Sequence, residues 1–248
     1  MNTITLLRRT GAELLGTGLL VTVVVGSGIA ASRLSIDPGL QLLENSIATA
    51  LGLGVLILLL RPVSGAHFNP VVSVADTILG RRHHHTGLPL TLLALYVVAQ
   101  VVGAIGGAVL ANAMFATPTA LSTTNRSTPA TFLAEIVATA GLVLLIIGLA
   151  RAHRSTPVIA AAAGSYIGAA YWFTSSTSFA NPAVTIGRVF TDTFAGIAPA
   201  SVLPFLAAQL LGAAIGIVLA LLLFPHATTA ADDLTVSHNL TDPEKDSS

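Results

Sequence analysis

The chain has 248 residues, of which 53% are hydrophobic and only 9% are charged, and its mean hydropathy is +0.82. This composition excludes an ordinary soluble domain and is typical of a protein embedded in a bilayer. The formal net charge is +0 and there are no cysteines, so nothing points to a nucleic-acid partner, a disulfide or a thiolate metal site.

Six segments are long and apolar enough to cross a hydrocarbon core of ~30 Å, which takes roughly 20 helical residues. In chain order these predicted spans cover residues 11–31, about 40–60, 88–111, 132–150, 157–173 and 200–223. The start of the chain, with Arg8-Arg9 before an apolar run, also has the outline of a cleaved signal peptide. Glu13 inside that run, and a counterpart of the run in the second half, favour a retained membrane span.

The sequence is duplicated. Residues 99–111 and 208–220 are identical at 8 of 13 positions, Glu13 pairs with Glu135, and Asn69 pairs with Asn181. Each half contains two spans, one half-length helix and a third span. Because three crossings are an odd number, the second half must enter from the opposite face. The predicted fold is an all-α membrane protein with six transmembrane helices and two half-membrane re-entrant helices, arranged as an inverted repeat of two three-helix halves.

The two half-length helices begin at Asn69-Pro70-Val71 and Asn181-Pro182-Ala183. Proline after a capping asparagine marks a helix start, because proline at the first helical position loses only an unpaired N–H. Each helix is predicted to run about 11 residues, or ~16 Å, which is half of the membrane core. Their starts therefore meet at the midplane, with both asparagine amides facing a water-filled path.

These paired motifs, together with Ser64-Gly65-Ala66-His67-Phe68 before the first, resemble the major intrinsic protein family, the aquaporins and aquaglyceroporins. The resemblance covers nearly everything from residue 11 to about 223. It implies a homotetramer with one pore per subunit, a channel with no catalytic step, no cofactor and no bound metal. It also implies that Glu13 and Glu135 brace the re-entrant loops. A proton relay is the alternative role for these two carboxylates.

Departures from the family pattern predict the selectivity. The family usually has arginine directly after the second motif, where this chain has Val184. Counting without gaps from the motifs places the rest of the constriction at Thr49, Ala169 and Ser178. Four small or apolar groups predict a wide filter. Arg188, one helical turn further on, is not expected to replace the missing arginine, and Val71, in place of the usual alanine, is expected to narrow the midplane slightly.

The predicted function is a passive channel in the lipid bilayer for small neutral solutes and water. This chain resembles family members that lack the constriction arginine, and that resemblance implies that the solutes also include metalloids, such as arsenous acid or methylated arsenicals. Two alternatives stay open: a strictly water-selective channel, and a secondary transporter with an inverted repeat. A transporter would need coupling carboxylates, and Glu13 and Glu135 are the intramembrane candidates. A channel is distinguished from a transporter by a flux that rises linearly with solute concentration and does not respond to proton or sodium gradients.

Charge placement predicts orientation and boundaries. Seven arginines fall on one side of the predicted topology: Arg8, Arg9, Arg61, Arg81, Arg82, Arg151 and Arg154. Arg33, Arg126 and Arg188 fall on the other side. The positive-inside rule then places both termini in the cytoplasm of a cell-membrane protein. The predicted parts are a cytoplasmic segment 1–9, a channel domain 10–224 with repeats at about 10–113 and 128–224, and a disordered cytoplasmic tail 225–248. His83-His84-His85 is predicted to lie in a solvated cytoplasmic loop.

Overall fold

The computed structural model describes residues 3–82 and 87–224, so the predicted histidine loop and the tail lie outside the described residues. The regular secondary structure of the described part is entirely helical, and its longest connection, residues 115–128, joins the two halves. The helices are α1 (Thr3–Leu34), α2 (Pro38–Ser64), α3 (Pro70–Arg82), α4 (Leu90–Met114), α5 (Pro129–Arg151), α6 (Thr156–Phe173), α7 (Pro182–Gly187) and α8 (Pro199–Leu223), with a 3₁₀ turn at Arg188–Phe190 after α7. The order of long and short helices is the same in both halves, as an inverted repeat requires.

Five helices are long and apolar enough to cross a membrane by length and composition: α1, α2, α4, α5 and α8. The remaining full-length helix, α6, has 18 residues, and its proline, serine, tyrosine and tryptophan residues lower its hydropathy. At 1.5 Å per residue it is still ~27 Å long, close to the thickness of the hydrocarbon core. Together these six helices and the two short ones confirm the predicted fold class.

Matching pairs of helices pack closely in the two halves: α1 against α4, and α5 against α8. The contacts depend on glycines of the repeated segment. A Cβ added at Gly103 would lie 2.3 Å from the Leu14 carbonyl oxygen, and one at Gly212 would lie 2.5 Å from the Ile136 carbonyl oxygen. Only glycine permits this approach of two backbones, which is how helices associate where lipid removes the hydrophobic drive.

The second half-length helix is shorter than the sequence predicts. Helix α3 has 13 residues, whereas α7 has six and is followed by the three-residue 3₁₀ turn. The carbonyl groups at this end bind the outer loops instead of continuing the helix. The Val189 carbonyl accepts from the Ser122 N–H at 2.9 Å, and the Arg188 carbonyl accepts from the Ile197 N–H at 3.3 Å. The loops therefore end this helix early.

Candidate functional site

The two re-entrant loops meet through their asparagines. The Asn69 Nδ2 group donates to the Ala180 carbonyl at 2.8 Å, and the Asn181 Nδ2 group donates to the Phe68 carbonyl at 2.8 Å. Both asparagines are buried in the protein and line one central cavity. Each amide uses one of its two Nδ2 hydrogens in this crossing, so the second hydrogen is left for a molecule in the cavity.

The same asparagines cap the short helices. Asn69 Oδ1 accepts from the Val71 N–H at 3.1 Å, and Asn181 Oδ1 accepts from the Ala183 N–H at 3.0 Å. Pro70 and Pro182 begin the helices, where no N–H donor is needed. With the carbonyl ends of the amides fixed on the helix starts, the Nδ2 ends can only point across the junction or into the cavity.

The structure corrects the expectation for Val71. Its side chain is buried in an apolar cluster with Ala75 on α3, Val143 on α5 and Ala213 on α8. It is absent from the residues that line the cavity in the described part of the chain. Valine at this position therefore fills the packing behind α3 and does not narrow the midplane.

Glu13 on α1 holds the first re-entrant loop. Its Oε1 accepts from the Ser64 hydroxyl at 2.6 Å and from the His67 N–H at 3.0 Å. Its Oε2 accepts from the Phe68 N–H at 2.7 Å and from Gln100 Nε2 at 2.8 Å. Four donors thus surround one fully buried carboxylate.

Glu135 on α5 repeats this arrangement for the second loop. Its Oε1 accepts from the Ser176 hydroxyl at 2.6 Å and from the Phe179 N–H at 2.8 Å. Its Oε2 accepts from the Ala180 N–H at 2.9 Å and from Gln209 Nε2 at 2.7 Å. Sequence reasoning missed the two glutamines, although the Ala-Gln pair at the start of both repeated segments was the available signal.

These carboxylates hold an unfavourable backbone. Ala66 and Phe68 have φ values of 52° and 50°, and Ser178 and Ala180 have values of 51° and 46°. Positive φ is costly for any residue with a Cβ, and such strain persists only where the surroundings fix it. The hydrogen bonds to Glu13 and to its counterpart in the second half supply that constraint, so both loops keep their non-helical path along the cavity.

The cavity runs beside both loops and has an empty volume of about 630 Å³, open solvent included. Of the predicted filter residues, Thr49, Ser178 and Val184 line it. Tyr171, which the sequence did not single out, also lines it, and its hydroxyl lies 3.1 Å from Thr49 Oγ1. The Tyr171 ring therefore forms part of the cavity lining, and a hydrogen bond with Thr49 holds its hydroxyl in place.

The prediction for Ala169 is wrong. This residue is exposed on the outer face of α6, whereas Tyr171 and Ile167 on the same helix are buried and line the cavity. Each residue turns a helix by 100°, so the step of two residues from Ala169 to Tyr171 rotates the side chain by about 200°, to the opposite face. A gap-free count from the second motif does not register which face of α6 packs inward.

An alanine-to-histidine pair on α6 tests this correction. Ala163 lines the cavity and Ala169 does not. We expect Ala163→His to reduce water and glycerol flux severalfold in proteoliposomes, because the imidazole would occupy the path, and Ala169→His to leave both fluxes at the parent level. Equal inhibition by both changes in stopped-flow light scattering would contradict the assignment of the α6 faces.

Arg188 also lines the cavity, close to Val184. Its guanidinium carbon lies 3.5 Å from the centroid of the Phe179 ring, and its Nε donates to the Ala195 carbonyl. The sequence-based prediction did not place this side chain in the path. Helix α7 ends at Gly187, and Arg188 reaches the cavity from the 3₁₀ turn that follows.

The carboxylate nearest in sequence to this arginine, Asp192, is bound elsewhere. Asp192 Oδ1 accepts from the Thr123 N–H at 2.9 Å and from the Thr123 hydroxyl at 3.1 Å. These hydrogen bonds favour the charged form and lower the pKa of the exposed Asp192 carboxyl. The aspartate therefore remains an anion that fastens one outer loop to the next.

Comparison with known proteins agrees with this geometry. A family model described as Major intrinsic protein matches residues 1–177. Aquaglyceroporin AqpS of Rhizobium meliloti (strain 1021) is 51% identical over 209 residues, covering 84% of this chain and 86% of that protein. Aquaporin Z of Brucella melitensis biotype 1 is 31% identical over 238 residues, covering 86% of this chain and 96% of that protein.

Among solved structures, that of the aquaglyceroporin from Plasmodium falciparum matches with a TM-score of 0.65 at 19% identity. The match covers 90% of this chain and 97% of that one, and at this identity it shows the fold alone. The chain belongs to the major intrinsic protein family. The predicted class, a membrane channel for small neutral solutes and water, is thereby confirmed.

Proposed function

We propose that this channel passes uncharged solutes of glycerol size and larger by passive flux, in addition to water. The observation that carries the proposal is Val184, which lines the cavity where the family pattern has arginine. The cavity lining then combines apolar groups, the Val184 side chain and the Tyr171 ring, with the polar residues Ser178 and Thr49. A polyol fits such a lining, with its carbons against the apolar groups and its hydroxyls against the polar ones.

The proposal extends to metalloid hydroxides. Arsenous acid is an uncharged trihydroxide at neutral pH, and its hydroxyls donate and accept hydrogen bonds as those of glycerol do. Methylated arsenicals add an apolar group that suits the side chain of Val184. The free Nδ2 hydrogens of Asn69 and Asn181 would donate to the oxygens of either class of solute at the centre of the path.

We further propose that the working unit is a homotetramer in the cell membrane, with both termini cytoplasmic. The family resemblance supports the tetramer, and the arginine distribution supports the orientation. Within each subunit, residues 10–224 would form the channel domain, with repeats at about 10–113 and 128–224. The carboxylates of Glu13 and Glu135 are each occupied by four donors, which supports a passive path without a coupling proton site.

A liposome uptake panel tests the proposal. We expect purified protein to accelerate glycerol, urea and arsenous acid flux above that of empty liposomes, linearly with concentration and independently of imposed proton or sodium gradients. Val184→Arg places a long cationic side chain in the outer cavity and should lower glycerol flux about tenfold while water flux falls less. Water flux without any solute flux in the parent would overturn the proposal in favour of a strict water channel.

A further inference from the structure

The position of Arg188 sets it apart from the arginine of the usual family motif. It begins the 3₁₀ turn after α7, four residues after Val184, and so lies ~6 Å further along the path at 1.5 Å per residue. Its side chain is only 3% exposed, yet it lines the central cavity. A buried cation that borders a solute path is expensive to maintain and therefore suggests a function.

Two contacts fix the plane of the guanidinium. One face lies on the Phe179 ring at 3.5 Å from the centroid, and the Nε group donates to the Ala195 carbonyl. Phe179 is itself held, because its backbone N–H donates to Glu135 at 2.8 Å. The re-entrant loop that carries Phe179 therefore also orients the arginine, and little side-chain freedom remains.

The other donors of Arg188 are open. Within residues 3–82 and 87–224, the Nε–H makes the only hydrogen bond of the Arg188 side chain. Nη1 and Nη2 have no hydrogen-bond partner there, and neither is fully enclosed by protein atoms. Ser178 lines the same cavity, and its hydroxyl is buried and has no hydrogen-bond partner among the described residues. A buried hydroxyl without a partner indicates that something absent from the protein chain, a water or a solute, completes it.

No carboxylate in the described part of the chain forms an ion pair with Arg188. Asp192 is bound to Thr123, and Glu135 is occupied by loop donors. A second cation, Arg126, lies over the same Phe179 ring at 5.5 Å, with its Nε and Nη2 tied to backbone carbonyls. Two positive charges thus contact the Phe179 ring, of which Arg188 lines the cavity, and neither pairs with a carboxylate in the described part of the chain.

We propose that Arg188 is the specificity-determining cation of this channel, displaced outward by one helical turn. The width of the path would be set at the level of Thr49 and Val184, and cations would be excluded at Arg188. Its free Nη groups, with the Ser178 hydroxyl, would hold the oxygen atoms of an entering uncharged solute. This inference rests on the proposed solute channel, and it explains how a wide filter could still reject ions.

The first test removes the charge. Arg188→Gln should raise sodium and potassium conductance by about tenfold or more, since one charge at ~5 Å and an effective dielectric constant of about 20 acts strongly on a passing cation. Arg33→Gln is the matched control, because Arg33 is an exposed outer-end arginine that binds the Phe115 carbonyl and does not line the cavity. Its conductance should stay at the parent level.

The second test moves the charge back. The double change Val184→Arg with Arg188→Val keeps composition and net charge but restores the usual motif register. We expect this variant to exclude cations as the parent does, while glycerol flux falls about tenfold and water flux persists. If Arg188→Gln does not fold, this exchange and Arg188→Lys, which keeps the cation and should keep ion exclusion, remain informative.

The outcomes separate the two proposals. Ion conductance of Arg188→Gln equal to that of the parent and of Arg33→Gln, with the pore shown open by glycerol flux above empty liposomes, would overturn the role of Arg188. Glycerol flux of the exchanged variant equal to that of the parent would also overturn it. Absence of glycerol flux in the parent would instead refute the proposed function.

Discussion

Replacing Glu13 should destabilise the channel more than any other single carboxylate change outside its counterpart Glu135. Glu13→Ala would leave four buried donors without an acceptor, two of them backbone N–H groups in the strained loop. Each unsatisfied buried group costs about 1–3 kcal/mol, and loss of one partner of a buried charged network costs about 3–5 kcal/mol. Glu13→Gln places an amide donor against donors and should cost about 1–3 kcal/mol.

Thermal unfolding in detergent, followed by the single tryptophan Trp172, measures this effect. Glu44→Gln is the matched control, because Glu44 lies on α2, is only partly buried and makes no hydrogen bond among the described residues. Surviving Glu13→Gln protein should still conduct glycerol passively. A variant as stable as the control that loses a pH-gradient-driven uptake seen in the parent would favour the proton relay and reject the brace.

The second large effect is expected at the junction of the loops. Asn181→Asp replaces the Nδ2 donor by an oxygen that faces the Phe68 carbonyl, which now accepts at 2.8 Å. The lost bond and the new repulsion amount to ~1–3 kcal/mol, enough for about a tenfold fall in neutral-solute flux. The carboxylate also places a negative charge in the path, so a cation leak should appear.

Asn125→Asp is the control for this change. Asn125 uses only its Oδ1, which accepts from the Ser127 N–H and the Ser201 hydroxyl, so an aspartate keeps both bonds. Solute flux through that variant should match the parent. Unchanged flux and no ion leak in well-folded Asn181→Asp protein would show that this side chain does not border the conducting path. Asn69→Asp, which breaks the reciprocal bond to the Ala180 carbonyl, should behave as Asn181→Asp does.

The structure makes the proposed wide filter more specific than the sequence-based prediction. Three of the four predicted positions, Thr49, Ser178 and Val184, line the cavity, whereas Ala169 does not and Tyr171 of α6 does. The proposed filter would therefore be partly aromatic. Selectivity between polyols and water would then depend on how a solute distributes its carbons and oxygens over the apolar and polar groups of the lining, and less on width alone.

The sequence by itself determined the membrane class, the six spans and the inverted repeat. Hydropathy is a local property that needs no tertiary information, and the duplication supplied an internal comparison that paired Glu13 with Glu135 and Asn69 with Asn181. The helix starts at the two motifs were also readable, because capping by asparagine and proline is decided within one turn.

Only the tertiary structure decided which side chains border the path away from the motifs. A helix turns 100° per residue, so a counting offset of two residues exchanges the outward Ala169 for the inward Tyr171. The role of Val71 depended on which helices pack behind α3, and that of Arg188 on the loop contacts that end α7. These are long-range contacts, and a periodic pattern carries no information about them.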